Sequence, residues 1–120
     1  MEVVAVVLTA LVAVIHACFL VLEMFLWKTP RGRAIFGTTQ EFADESATLA
    51  ANQGLYNGFL SAGLVWSLIA GGDTGHAAAV FFLLCVVVAG LYGGATVSRR
   101  IFAVQAAPAV LALAAVIAAG

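Results

Sequence analysis

The residues most able to do chemistry are a histidine and a glutamate inside the first apolar run of the chain. His16 and Glu23 stand seven residues apart, so on a helix they share one face, about 10 Å apart along the axis. Ionisable side chains in a membrane helix are costly and face protein or water. Glu23 suits an anion or proton acceptor in a ligand site, or a carboxylate paired with Lys28, Arg99 or Arg100. His16 suits the same site or a hydrogen-bonded core position.

Further polar residues cluster at a similar depth on the later apolar runs. At about 100° per residue, Gln53 and Asn57 share one helix face, whereas Asn52 and Tyr56 share another. They suit interhelical hydrogen bonds, but their concentration in one half of the membrane favours a polar pocket. The predicted ligand-binding residues are His16, Glu23, Asn52, Gln53, Tyr56, Asn57, Tyr92, Arg99 and Arg100.

Other kinds of site find little support in the sequence. Cys18 and Cys85 lie in apolar runs without a partner at metal-site spacing, so we interpret both as packing residues and predict no metal site. HExxH, GxSxG and phosphate-binding glycine motifs are absent. We predict no nucleic-acid binding, and no cofactor can be named.

Composition identifies the solvent around the predicted elements. The chain has 120 residues, of which 64% are hydrophobic and 9% charged, with a mean hydropathy of +1.13. An ordinary soluble domain is roughly half apolar and about a quarter charged. We therefore predict an all-α integral membrane protein whose partner is the lipid bilayer.

Hydropathy and turn signals predict one domain, residues 1–120, with four transmembrane helices at about 3–27, 39–70, 77–97 and 101–119. A basic turn around Pro30 ends the first helix. Residues 38–41, TTQE, have the form of a capping box for the second. A glycine-rich turn at 71–76 precedes the third helix, and Pro108 is a candidate kink in the fourth.

The basic residues predict the orientation of the chain. All five lie in the segments after the first and third predicted helices, and the other connection carries none. With four spans, the positive-inside rule places both segments in the cytoplasm and both termini outside it. We predict a multi-pass membrane protein.

Small residues predict how the helices pack. Gly54 and Gly58 form one GxxxG pair, and Gly90 and Gly94 form a second. Such pairs allow close approach of helix backbones in a membrane. Either pair is a candidate interface for a homo-oligomer.

Several motifs are shared with a known group of proteins. They are LEMFLW at 22–27, TPRGR at 29–33, FG at 36–37, AANQGLYNGF at 50–59, AGLYG at 89–93 and TVSRR at 96–100. With these motifs the chain resembles the small bacterial membrane proteins of the domain-of-unknown-function family 1304. The resemblance covers nearly the whole chain and implies four spans without an established activity.

A shorter motif points to a second group. The sequence Ala51-Asn52-Gln53 is similar to the second helix of membrane-associated eicosanoid and glutathione metabolism proteins. That similarity implies a trimer that binds glutathione between subunits near the cytoplasmic face. Ser46 follows Glu45 here, where their motif has an arginine after the glutamate.

These observations favour one function and leave three others open. The leading hypothesis is a homo-oligomeric bacterial inner-membrane protein with a cytoplasm-facing polar pocket that binds a small amphipathic molecule. The alternatives are a glutathione-transferase or isomerase-like enzyme using Tyr92 or Arg99, a small proton-coupled transporter using Glu23, and a structural subunit of a membrane complex. Whether the protein is an enzyme stays open.

Overall fold

The computed structural model describes residues 1–120 and is all-α, as predicted. Its helices are α1 (Val3–Met24), α2 (Pro30–Phe36), α3 (Gln40–Ala70), α4 (Gly72–Thr96) and α5 (Ala107–Ala119). A π-helical turn, Phe102–Ala106, leads directly into α5. The structure divides into two units, residues 1–15 with 60–120 and residues 16–59, each described by itself below.

The first unit, residues 1–15 and 60–120, has a core to which α1, α3, α4 and α5 all contribute. The buried residues of this core are Ala5, Val12, Ala13, Leu64, Ala79, Leu83, Val86, Ala109, Ala112 and Val116. Half of them are alanines, which allow helices to pack closely where no hydrophobic drive acts between them. Ser61 on α3 donates a hydrogen bond to the Ala13 carbonyl at 2.8 Å.

The second unit, residues 16–59, contains the end of α1, all of α2 and the first part of α3. The buried positions of α3 in this unit include Ala43, Ala50, Gly54 and Asn57. Because these are three, four or seven residues apart, they form one stripe along the helix. Three of them are small, so the chain can approach this face of α3 closely.

Three helices, not the predicted four, are long and apolar enough to cross a membrane by their own composition. They are Val3–Met24, Gly72–Thr96 and Phe102–Ala119, and no more than a third of the most apolar stretch of each is buried. Such exposed apolar helices are those of a multi-pass membrane protein. The remaining long helix, α3, does not qualify because Asn52, Gln53 and Asn57 lower its hydropathy and acidic residues occupy its first turns.

The segment after α1 differs from the predicted basic turn, because it contains a helix of its own. α1 ends at Met24 rather than at residue 27, and α2 follows from Pro30. Thr29 is the N-cap of α2, with its hydroxyl accepting from Gly32 N at 3.1 Å. Gly37 ends α2 in the left-handed conformation, at φ 67°. Thr-Pro at a helix start and glycine after its end are known signals, so this helix was predictable.

Two further helix starts also differ from the predictions. Phe42 N donates to Thr39 Oγ1 at 3.1 Å, so Thr39 caps α3 and the capping box predicted from Thr38 is wrong. α4 begins at Gly72 rather than at residue 77. Gly71 and Gly72 have φ of 61° and 59°, so two glycines complete the turn and the rest of the glycine-rich run is helical.

The predicted kink at Pro108 takes the form of the π-helical turn. Proline has no N–H and its ring collides with the carbonyl four residues earlier in a regular helix. The helix widens just before this residue, where Ala107 N donates to Phe102 O, five residues back. The irregular backbone is thereby confined to residues 102–106.

Candidate functional site

Glu23 and Asn57 form a direct polar contact within the second unit. Glu23 is the last but one residue of α1, and Asn57 is a buried residue of α3. Asn57 Nδ2 donates to Glu23 Oε1 at 2.5 Å. A hydrogen bond to a carboxylate is about twice as strong as one between neutral groups. Two residues that the sequence analysis predicted separately are thus joined by a hydrogen bond.

Glycines bring α3 close enough to α1 for this hydrogen bond. A Cβ on Gly54 would lie 2.7 Å from Met24 Cγ and 3.1 Å from Glu23 Cβ. A Cβ on Gly58 would lie 2.6 Å from Leu20 Cδ1. Asn57 stands between these two glycines, so the close approach positions its amide against the carboxylate.

The glycine pairs predicted as candidate subunit interfaces have neighbours within the chain. Gly54 and Gly58 pack on α1 of the same chain. Within the first unit, a Cβ on Gly90 would lie 2.6 Å from Ala106 N, and Gly94 packs on the Phe102 ring. Both pairs therefore pack helices within the chain, and a homo-oligomer stays a prediction.

The segment that follows Glu23 is held in place by Trp27. Its indole Nε1 donates to Ser46 Oγ at 3.0 Å, and Ser46 Oγ donates in turn to the Phe42 carbonyl at 2.6 Å. The indole also lies against Phe36 of α2, with ring centroids 4.8 Å apart. Thr29 Oγ1 donates to the Leu26 carbonyl at 2.7 Å. The turn between α1 and α2 is thus held by the contacts of Trp27 with α2 and α3 and by the hydrogen bond from Thr29 within the turn.

An open cleft of about 260 Å³ lies beside Glu23. Its lining combines acidic, basic, hydroxyl-bearing and apolar residues, namely Glu23, Met24, Phe25, Trp27, Lys28, Thr29 and Ala47. Phe25 is 69% exposed at its edge. The cleft therefore has a mixed lining of polar and apolar residues.

The two charged residues of the cleft do not neutralise each other. Glu23 and Lys28 form no ion pair, although pairing with Lys28 was one prediction for the glutamate. Glu23 Oε1 accepts from Asn57, and no protein group donates to Oε2. The Lys28 backbone carbonyl accepts from Arg33 Nε at 3.4 Å, while its ammonium is free. Each side chain therefore keeps hydrogen-bonding capacity that no protein group uses.

The other predicted site residues of the second unit lie apart from the cleft. Asn52, Gln53 and Tyr56 are exposed. Asn52 Nδ2 donates to the Thr48 carbonyl of its own helix at 3.2 Å. His16 is fully buried and meets Phe19 edge to face, with ring centroids 5.5 Å apart. As ligand contacts these four residues stay predictions.

Three predicted site residues belong to the first unit. Tyr92 is 73% exposed on α4, and its carbonyl accepts from Thr96 Oγ1 at 2.7 Å. Arg99 and Arg100 are exposed in the connection after α4. A role for these three in binding stays a prediction.

Sequence reasoning missed Trp27 and Thr29 as neighbours of the carboxylate. Both follow Glu23 by a few residues, inside motifs already used for the resemblance. The missing information was that α1 ends at Met24, after which the chain turns back beside the carboxylate. A helix continued to residue 27 would have carried these residues away along the axis.

The profile of one family matches residues 10–117, which include the whole cleft. The chain belongs to the family described as "Protein of unknown function (DUF1304)". The resemblance inferred from the motifs is thereby confirmed. The similarity to the eicosanoid and glutathione proteins is not shown by the comparisons.

A curated relative agrees with this DUF1304 membership. "Uncharacterized protein YpaA" of Lactococcus lactis subsp. lactis (strain IL1403) is 29% identical over 115 residues. The match covers 94% of this chain and 96% of that protein, so the two are similar from end to end. No solved structure matches the chain.

Proposed function

We propose that this DUF1304 protein binds a small amphipathic molecule in the cleft beside Glu23, with the carboxylate as anion or proton acceptor. The observation that carries the proposal is the Glu23–Asn57 hydrogen bond at the wall of the open cleft. One carboxylate oxygen is held by the protein, and the other is left for a ligand. Trp27 and Phe25 supply apolar contact for the rest of the molecule.

The free-energy cost of placing a carboxylate in a membrane helix supports a role for Glu23 beyond packing. Carboxylates within membrane helices are expensive and are typical of binding sites and ion or proton pathways. Glu23 lies in a candidate span, and its hydrogen bond to Asn57 requires the glycine-mediated approach of α3. A purely structural position would be filled more cheaply by an apolar residue of similar size.

The proposed setting is the cytoplasmic face of a bacterial inner membrane. Residues 60–70 of α3 belong to the same unit as the first part of α1 and the whole of α4 and α5, and Leu64 is fully buried in its core. α3 has 31 residues, so it is about 46 Å long, against about 30 Å of hydrocarbon. We propose that α3 also crosses the bilayer. The basic segments 28–33 and 99–100 then lie in the cytoplasm, and both termini outside it.

The test is a thermal-shift measurement on the purified protein with three amphiphiles that share one alkyl chain. Dodecylamine carries a cation, dodecyl phosphate an anion and dodecanol a neutral donor. Binding to the folded state alone must stabilise it, by about 2.7 kcal/mol at a hundredfold excess over Kd. We expect dodecylamine to raise Tm, and Glu23→Gln to weaken its binding by about tenfold to a hundredfold.

Glu45→Gln is the matched control, because it removes an exposed carboxylate of the same unit that does not line the cleft. It should leave dodecylamine binding unchanged. Equal loss in both variants would mean general charge attraction rather than a site. If no amphiphile shifts Tm in a Glu23-dependent way, the proposed function fails and the structural-subunit hypothesis gains support.

The alternative functions make different demands on these residues. In a proton-coupled transporter Glu23 would exchange its proton and its Asn57 contact during transport, which the same Glu23→Gln variant tests by flux in vesicles. A transferase would need a group that binds the thiol. Ser46 stands where the eicosanoid and glutathione metabolism proteins have an arginine, and its hydroxyl already donates to its own helix and accepts from Trp27. The transport role therefore has the closer connection to the observed site.

A further inference from the structure

The free charges of the cleft narrow the class of molecule that would fill it. Glu23 and Lys28 line one cleft without pairing, so a ligand meets an anion and a cation together. A purely cationic ligand would leave the ammonium unmatched, and a purely anionic one would face the carboxylate. Electrostatic complementarity favours a head group that carries both charges.

Hydrogen-bonding capacity narrows the class further. Glu23 Oε2 is an acceptor without a protein donor, and a primary ammonium brings three donors. A quaternary ammonium has no N–H, and would depend on the face of Trp27 through cation–π attraction. On the other side, the Lys28 ammonium has three donors to offer, which suit phosphate oxygens.

The size and place of the cleft indicate that the rest of the ligand lies outside it. The volume of about 260 Å³ lies below the range of about 300–1,000 Å³ for pockets that enclose a drug-sized molecule. The cleft sits at the end of a candidate span, beside the exposed ring of Phe25. Such a place is level with lipid head groups, and apolar tails would extend along the helix.

We infer that the cleft holds the head group of a zwitterionic phospholipid with a primary ammonium, as in phosphatidylethanolamine. The ammonium donates to Glu23 Oε2, and the phosphate accepts from the Lys28 ammonium. Trp27 lies between the two charged ends along the chain and packs against the linking carbons. This inference rests on the proposed function, because it names the ligand class of the same cleft.

The first experiment compares lipids on the purified full chain in detergent, with lipid binding counted by native mass spectrometry. Phosphatidylethanolamine, phosphatidylcholine and phosphatidylglycerol are offered with identical acyl chains. We expect phosphatidylethanolamine to bind about tenfold more tightly than the other two lipids. One charge-assisted hydrogen bond accounts for a difference in affinity of about this size. Equal binding of the three lipids would overturn the inference.

A second arm separates a membrane lipid from a water-soluble zwitterion. Phosphoethanolamine has the same head group without tails. If the lipid is the ligand, phosphoethanolamine competes only weakly with phosphatidylethanolamine. Competition at equal concentration would mean that the site belongs to a soluble zwitterion, and the lipid assignment would be wrong.

Lys28→Gln tests the phosphate contact and leaves the fold alone, since the Lys28 side chain has no protein partner. It should weaken phosphatidylethanolamine about tenfold and leave dodecylamine unaffected, whereas Glu23→Gln should weaken both. Arg31→Gln is the control, an exposed cation of the same unit outside the cleft. If Lys28→Gln changes nothing, the inference fails.

The outcomes distinguish the two proposals. Glu23-dependent binding of dodecylamine without a preference for phosphatidylethanolamine would overturn the lipid assignment and keep the proposed function. Loss of all Glu23 dependence would overturn both. Gel filtration of each variant shows whether it is folded, and Lys28→Gln remains informative if Glu23→Gln aggregates.

Discussion

At the scale of single residues, the Glu23 carboxylate depends on one neighbour for its position. Lipid offers a carboxylate no hydrogen bonds, so its partners must come from protein, water or a ligand. Asn57 supplies one such bond at 2.5 Å and is itself buried. Removal of this amide would leave a half-buried acceptor without its donor and free to change rotamer.

We therefore predict that Asn57→Ala destabilises the protein. A buried acceptor deprived of its partner costs about 1–3 kcal/mol. The free energy of unfolding, measured by titration of the purified protein with denaturing detergent, should fall by that amount. Binding of dodecylamine should weaken as well, because the carboxylate is no longer oriented.

Asn52→Ala is the control for this prediction. Asn52 is exposed, and its amide donates only to a carbonyl of its own helix. Exposed substitutions of this kind usually change stability by less than about 0.5 kcal/mol. Equal effects of the two asparagine variants would show that the Asn57–Glu23 bond contributes nothing particular.

The sequence was sufficient to select Glu23 and Asn57 as functional candidates but not to pair them. Helical periodicity states which residues of one helix share a face. The rotation of one helix against the next depends on how the small residues fit, here Gly54 and Gly58 against Leu20 and Met24. For this reason Asn57 appeared equivalent to Gln53, although only Asn57 is buried.

At the scale of helices, glycines decide how closely two helices of this chain approach. The tightest contact to backbone atoms in the small-residue pairs is between Gly90 of α4 and the π-helical turn. A Cβ there would lie 2.6 Å from Ala106 N and 2.8 Å from Ala106 Cα. Backbone atoms cannot turn aside as a side chain can, so the helices themselves would have to move.

We predict that Gly90→Ala destabilises the protein although alanine is the better helix former. Helix propensity favours alanine by about 1 kcal/mol, whereas overpacking costs about 1–3 kcal/mol. Because the clash with backbone atoms outweighs the gain in helix propensity, the free energy of unfolding should fall. The same detergent titration measures this change. A neutral or stabilised variant would mean that α4 and residues 102–106 are less closely packed than observed.

Gly93→Ala on the same helix provides the matched control. Its Cβ would lie 3.2 Å from Ile101 Cγ2, an atom of a side chain that can shift by a few tenths of an ångström. The propensity gain is the same for both variants. Gly93→Ala should therefore be clearly the more stable of the two.

Helix existence was predictable here, whereas helix ends were less so. The apolar runs predicted the long helices because their length and hydropathy are extreme. α2 was missed since seven residues give no periodic pattern, although Thr29, Pro30 and Gly37 signal it. The start of α4 was placed too late because glycines resemble a loop, yet only Gly71 and Gly72 take left-handed values.

At the scale of the whole molecule, the surface is that of a protein in lipid. Large apolar residues on α1, α4 and α5 are exposed, among them Val3, Val88 and Ile117 at 78%, 65% and 60%. A protein in water rarely exposes such continuous apolar surface. The predicted membrane setting follows from composition alone, whereas the course of α3 through it does not.

The position of α3 decides the topology, and labelling can measure it. If α3 crosses, as we propose, the segments before it and after α4 lie on one side of the membrane. In a background with Cys18 and Cys85 changed to alanine, Ala34→Cys and Val97→Cys place single thiols in these exposed segments, and Thr74→Cys places one at the start of α4. An impermeant maleimide should reach Thr74→Cys in right-side-out vesicles, and the other two only in inverted vesicles.

Three crossings would give a different pattern, because α3 would return to the side from which it came. Ala34→Cys and Thr74→Cys would then be labelled from one side and Val97→Cys from the other. The basic segments would lie on opposite faces, against the positive-inside rule. That rule therefore supports four crossings, and with them a cleft at the cytoplasmic surface. Labelling of Ala34→Cys and Val97→Cys from opposite sides would overturn this arrangement, while the Glu23–Asn57 site itself would remain within residues 16–59.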